Sequence, residues 1–173
     1  MKAFALLPGL LLKARRSPFY LWLLNRLLGR LVPFNRPHGF AIERIEADRI
    51  VTRASNRRVN HNHIRGIHAC AIATIAEFSS GLALLSRLDP TRYRLIMARM
   101  EIDYLFQARQ DILATTILAV SQVQQQVLDR LRDDEAVSFT QETLIEDRAG
   151  HTVARAHITW QIKPWAKVNT LPD

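Results

Sequence analysis

The sequence predicts an α+β fold in which an antiparallel sheet wraps around one long helix. Two observations predict it. Between Arg65 and Arg87 lie twenty-one residues, GIHACAIATIAEFSSGLALLS, of which only His68, Cys70 and Glu77 can titrate. That length and apolar content fit a helix buried on most sides rather than an amphipathic surface helix. After it come four strand-like runs, at 93–106, 111–122, 136–147 and 151–163. Long strands joined mostly by short turns argue an antiparallel sheet, and packing that sheet on one apolar helix gives a layered α+β domain. The 173 residues, 48% of them hydrophobic, suffice for one full-sized core.

Residues 1–16 begin with a charge and a short apolar run, as a secretory signal does. Pro8 and Gly9 interrupt that run, Lys13, Arg15 and Arg16 close it, and no A-x-A site follows, so a retained segment is expected. Residues 17–32 read as a helix, with Ser17 at the cap, Pro18 at the first helical position and Pro33 past the end. Its polar stripe is narrow, comprising Asn25, Arg26, Gly29 and Arg30. Such a helix either docks on the domain or lies in a membrane interface with its arginines toward anionic lipid. It is too short and too charged to span a bilayer.

PFNRPHGF at 33–40 is a proline-punctuated connection, and the runs at 40–47 and 49–56 alternate as two strands around a turn at Asp48 and Arg49. Residues 57–66 form a polar loop rich in Asn and His, after which the apolar helix runs to Leu88 and stops at Asp89-Pro90. In the strand at 93–106, Ile96, Ala98, Met100, Ile102, Tyr104 and Phe106 are expected on one face, with Met97, Arg99, Glu101 and Asp103 on the other. Val123, Val127, Leu128 and Leu131 are spaced as in a short helix, and Arg148-Ala149-Gly150 joins the last two strands as a hairpin. The division expected is a basic, apolar helical segment at 1–36, one domain at 37–164 and a tail at 165–173.

The net charge of +8 is uneven. Residues 1–65 carry +10, the remainder −2, and the first acidic residue is Glu43. Twenty of the twenty-four cations are arginine, suited to forked contacts with phosphate or carboxylate. The N-terminal third therefore suits an anionic partner, whether lipid head groups, a phosphorylated cofactor or an acidic carrier. Nucleic acid fits poorly, because this third lacks interleaved aromatics at strand spacing and any helix-turn-helix or zinc pattern. No Gly-rich phosphate loop occurs. One cysteine precludes an intrachain disulfide and fits a reducing compartment, the cytoplasm. His61 and His63 point the same way on extended backbone, yet no carboxylate or thiolate joins them at a metal-ligand spacing, so no metal is expected.

The chemistry left is Glu77 with His68. Glu77 in an apolar wall has its pKa driven up by desolvation, into the range useful for a general base. Pairing with an arginine such as Arg99 would instead make it a purely structural residue. His68 sits near the helix start, where free N–H groups can polarise a carbonyl oxygen. Nine residues of helix are two and a half turns, about 13 Å of rise and opposite sides of the cylinder. The two residues can serve one site only across two copies of the helix.

An Asn-bearing polar loop, a Gly, a His and a small-residue helix with an acid nine positions on resemble the hot-dog thioesterases of the phenylacetyl-CoA and hydroxybenzoyl-CoA type. MEIDYLFQA at 100–108 and EDRAGHTVARAHITWQI at 146–162 resemble two of their strand motifs. With PFNRPHG at 33–39 and the preceding helix, the chain is most similar to a bacterial branch defined only as a domain of unknown function. The resemblance implies a hot-dog fold with an extra N-terminal helix, assembled as a homodimer or homotetramer. It implies hydrolysis of an acyl-CoA or acyl-carrier thioester at the subunit interface, with acyl-CoA as substrate and no cofactor. Glu77 would be the general base or nucleophile, with His68 and Asn62 completing the catalytic set. Gly66, Ala69, Cys70 and Ser80 would line the substrate. His68-Ala69-Cys70 stands where the family has His-Gly-Gly. The alternative is a non-catalytic acyl- or lipid-binding hot-dog protein, peripheral to a membrane.

Overall fold

A six-stranded antiparallel sheet curls around a single long helix in the computed structural model, which describes residues 6–168. Two helices come first, α1 (Leu7–Ala14) and α2 (Pro18–Leu31), then a one-turn α3 (Asn35–His38) and the hairpin β1 (Ala41–Ile45) and β2 (Arg49–Ala54). The central helix α4 (Ala69–Leu85) follows, then β3 (Tyr93–Tyr104), β4 (Ile112–Ile117), a short α5 (Val120–Val123), β5 (Val137–Asp147) and β6 (Thr152–Pro164). The sheet order is β1-β2-β4-β5-β6-β3, which leaves β1 and β3 at the edges. This is the α+β hot-dog architecture, with N-terminal helices added.

α4 is buried from Ala71 to Leu84 wherever it meets the sheet, and its small residues let it approach closely. The Ser79 hydroxyl donates to Ala114 O at 3.0 Å and accepts from Thr116 Oγ1 at 3.1 Å, and Thr116 bonds Thr143 at 2.7 Å. All three are fully buried, so this chain of hydroxyls stays satisfied without water. Gly81 lies under Trp160 of β6, where an added Cβ would stand 3.1 Å from the indole ring.

α2 docks on the domain through more than its leucines. Asn25, from the expected polar stripe, turns inward and pairs with the Ile42 backbone in both directions, at 3.0 and 2.7 Å. Leu24 and Leu28 are buried beside it. Ser17 holds the cap position in extended backbone, although its side chain makes no capping bond.

Two elements differ from the sequence-based expectation. In β3 the pairing with β6 slips between Met97 and Arg99, so Ala98 is an extra residue in a bulge. Sidedness therefore inverts at that point. Tyr93 and Leu95 pack on the core before it, Met100 and Ile102 after it, and Ile96 is exposed instead of sharing their face. The stretch after α5 is a wider turn rather than a regular helix, closed by Asp129 N–H donating to Gln124 O at 2.9 Å. Its buried residues Val123, Val127 and Leu131 recur every fourth position, and the wider turn keeps them in one row.

Candidate active site

A cavity of about 750 Å³ lies between α4, α2 and the first half of β3. Its wall is largely apolar: Leu28 and Val32 of α2, Phe78 and Leu82 of α4, Leu95 of β3 and Trp160 of β6. Glu77, at the middle of α4, is its one carboxylate, and Arg94 its one cation. Among the described residues nothing hydrogen-bonds or ion-pairs with Glu77. Arg99, the partner considered from sequence, pairs with Glu101 instead. Burial alone pushes the Glu77 carboxyl above its ordinary value.

Polar groups missed in the sequence share this cavity. Asn35 is buried at the wall, and among the described residues no group bonds its side-chain amide. Arg94 donates to Gln161 Oε1 at 3.1 Å through one amino group, while its buried Nε has no partner among them. Trp165 belongs to the expected tail, yet it lines the cavity and is fixed by Nε1–H donating to Pro90 O at 2.9 Å. These three residues come from three separated segments, so no local sequence signal joins them.

Ser80 lies beneath this wall. Its hydroxyl accepts from Trp160 Nε1 at 2.7 Å and from Gln141 Nε2 at 2.6 Å, which leaves it supporting the indole rather than open to the cavity. Trp160→Ala removes that wall and opens a void beneath α4. We expect a loss of about 3–5 kcal/mol in urea unfolding. Trp160→Phe, which keeps most of the ring but not its donor, should cost about 1 kcal/mol.

His68, Ala69 and Cys70 stand apart from the cavity, exposed at the start of α4. His68 is the N-cap: its Nδ1 accepts from the Cys70 amide at 3.0 Å. A neutral imidazole bonded this way carries its proton on Nε2, which becomes an outward-facing donor. The Ala71 and Ile72 amides donate to His68 O. Among the described residues nothing accepts from the Ala69 N–H, so it remains available. Tyr104 reaches this turn from the end of β3, its hydroxyl donating to Ala69 O at 3.2 Å. Partial burial, then the neighbouring Cys70, pushes that hydroxyl above its ordinary pKa and keeps it a donor.

The loop before α4 sets His68 in place. Asn62 Oδ1 accepts from the Ile64 and Gly66 amides, each at 3.0 Å, and Asn62 N–H donates to Gly66 O at 2.8 Å. Gly66 is pressed against Gln107 and Ala108, where a Cβ would stand 3.0 to 3.2 Å from their atoms. His68 N–H then donates to the carbonyl of buried Asn60 at 2.7 Å. Within one chain the candidates thus divide. Glu77 faces the cavity, whereas His68, Ala69 and Cys70 form an exposed helix start held by Asn62 and Gly66. Among the described residues no group of three or more His, Cys, Asp or Glu is placed to hold a metal ion.

The family described as a domain of unknown function, DUF4442, matches residues 21–162. No curated protein matches the chain. Among solved structures it is similar to a Pseudomonas aeruginosa protein of unknown function, described as a "Probable Thioesterase". The TM-score is 0.74 at 23% identity, covering 81% of this chain and 93% of that one. A Haemophilus influenzae thioesterase gives a TM-score of 0.67 at 14% identity, covering 87% and 94%. A Staphylococcus aureus thioesterase carrying a glutamine-to-alanine substitution gives 0.62 at 14%, covering 77% and 100%. At these identities the likeness is one of fold.

Proposed function

We propose that this chain, which belongs to the DUF4442 family, hydrolyses an acyl thioester in a site completed by a second copy of itself. One observation carries the proposal: a glutamate without a partner among the described residues, its carboxyl held protonated more readily than usual by burial, in the wall of a large apolar cavity. The acyl chain occupies the apolar space with its carbonyl at Glu77. The carboxylate takes a proton from water as the water oxygen attacks the carbonyl carbon. Alternatively it attacks that carbon itself, and water then hydrolyses the resulting anhydride. Either way the C–S bond breaks, and the thiolate leaves and takes up a proton.

The negative charge on the carbonyl oxygen needs donors, and the unused Ala69 N–H and the outward His68 Nε2–H suit that role. They lie on the far side of α4 from Glu77, so the partner subunit must supply them. β3 supports such a pairing. It is a twelve-residue edge strand, and Ile96, Met97 and Tyr104 on it are exposed. An unpaired edge of that length, with apolar side chains exposed along it, suits pairing with a second strand. α4 runs antiparallel to β3, since Tyr104 at the strand's end touches Ala69 at the helix start. A two-fold axis through the middle of β3 exchanges the strand ends and sends each helix start toward the other copy's Glu77.

The Staphylococcus aureus protein is known as a glutamate-to-alanine and as a glutamine-to-alanine variant, 15 residues apart, the separation of Glu77 from Asn62 here. That spacing supports a site containing both, with Asn62 acting through the loop it closes. The exposed thiol of Cys70 suits the cytoplasm, where acyl-CoA or an acyl-carrier protein supplies thioesters. A second reading, acyl binding without turnover, draws on Ala69 and Cys70: their Cβ atoms crowd the helix start where glycines would admit a carbonyl more closely.

Purified protein offered acyl-CoA esters of graded chain length should release free CoA, read with a thiol reagent. Release from none of them defeats the hydrolase reading. Saturable acyl-CoA binding without release would establish the second one.

A further inference from the structure

We propose that the exposed face of α2 seats this protein on an anionic lipid bilayer, with the apolar cavity directly behind the same helix. Phe19, Trp22, Leu23, Arg26 and Arg30 recur at intervals of three and four residues and form one stripe, opposite buried Leu24 and Leu28. Docking through Asn25 has turned the stripe outward, leaving Phe19 62% and Trp22 56% exposed. The two rings stack with centroids 6.1 Å apart, and the Arg26 guanidinium lies 5.5 Å from the Trp22 ring centre. Aromatic residues grading into arginines along a helix suit the boundary between acyl chains and head groups.

Charge identifies the occupant. Lys13, Arg15 and Arg16 precede the stripe, Arg36 follows it, and no acidic residue occurs before Glu43. Among the described residues none of the six cations from Lys13 to Arg36 pairs with a carboxylate. A second copy placed on this face would set cation against cation. Lipid phosphates supply the opposite charge and, beneath it, an apolar layer for Phe19 and Trp22. Among the described residues no helix is long and apolar enough to cross a membrane, so the contact is peripheral.

The inner side of α2 gives this surface a consequence. Leu28 and Val32 wall the cavity that holds Glu77. On the thioesterase reading, the substrates are acyl thioesters whose chains are long enough to partition into the bilayer, and they pass α2 to reach the site. The docking itself does not depend on that reading.

The test is flotation of the full-length protein with vesicles of phosphatidylcholine, with and without phosphatidylglycerol, at low and high salt. Binding should require phosphatidylglycerol and weaken with salt. Arg26→Gln with Arg30→Gln should lower affinity about 30-fold, and Phe19→Ala with Trp22→Ala should lower it at unchanged charge. These side chains are exposed, so circular dichroism should show each variant folded. No flotation with phosphatidylglycerol, or equal flotation of wild type and both variants, overturns the proposal. A fall in molar mass by light scattering in the aromatic variant, without loss of flotation, also overturns it, since the face would then join copies of this chain. No arm requires turnover, so a failed hydrolase assay leaves the result readable.

Discussion

On the thioesterase reading, Glu77→Ala should lower kcat/KM for acyl-CoA hydrolysis by about 10²–10⁴-fold, the range for removing a positioned general base. Glu77→Gln should lose nearly as much, because it keeps the shape and discards the base. The same residue makes a second, independent signature. A carboxyl whose folded pKa lies above its unfolded one binds its proton more tightly in the native state. Ionising it therefore costs stability, and that cost appears as pH rises from the unfolded to the folded pKa and persists above. Glu77→Gln should raise the melting temperature at neutral pH, with the gain vanishing below the unfolded glutamate pKa. On the wild-type rate profile, the acid limb should fall through a pKa above the ordinary glutamate value. A variant as active as wild type removes Glu77 from the mechanism. A variant less stable than wild type at neutral pH removes the unpaired, desolvated carboxylate.

Mixing two inactive proteins should restore activity. On the shared-site reading, His68→Ala and Glu77→Ala would each spoil both sites of a homodimer. In a mixed dimer one site combines both defects, while the other takes an intact His68 from one protomer and an intact Glu77 from its partner. Equal amounts, unfolded together and refolded, give half mixed dimers with one working site in two, about a quarter of wild-type turnover. Activity at the level of the separate variants, from a sample shown by tagged pull-down to contain mixed dimers, rules out the shared site. The contrast is large, because the baseline is nearly zero.

The parts of this fold legible in the sequence are those governed by local period. α4 follows from an apolar run with three titratable groups, and β5 and β6 from two strand-like runs joined at Arg148-Ala149-Gly150, with burial alternating all along β5 and along β6 from Ala154. Glu77 drew attention because a lone acid stands out in apolar surroundings. The resemblance to hot-dog enzymes pointed to the same fold. Period fails where tertiary contacts choose the face. Asn25 looked like part of a solvent-facing stripe, yet it pins α2 to Ile42 and turns Phe19 and Trp22 outward. The alternation expected along β3 does not pass Ala98, because one extra residue in pairing is invisible to an isolated strand. The cavity is the least legible feature. Asn35, Arg94, Trp160 and Trp165 meet only once the sheet has curled.

Ala98 sets the phase of the strand that holds it. Either half of β3 alone would be an ordinary strand, but in continuous register one half would have to show the sheet's concave side its wrong set of side chains. The bulge resets the count, so Tyr93 and Leu95 can close the cavity while Met100 and Ile102 still reach the core. A single alanine thus lets one edge serve two geometries. Along this edge the number of residues, more than their hydrophobicity, decides which side chains are inside.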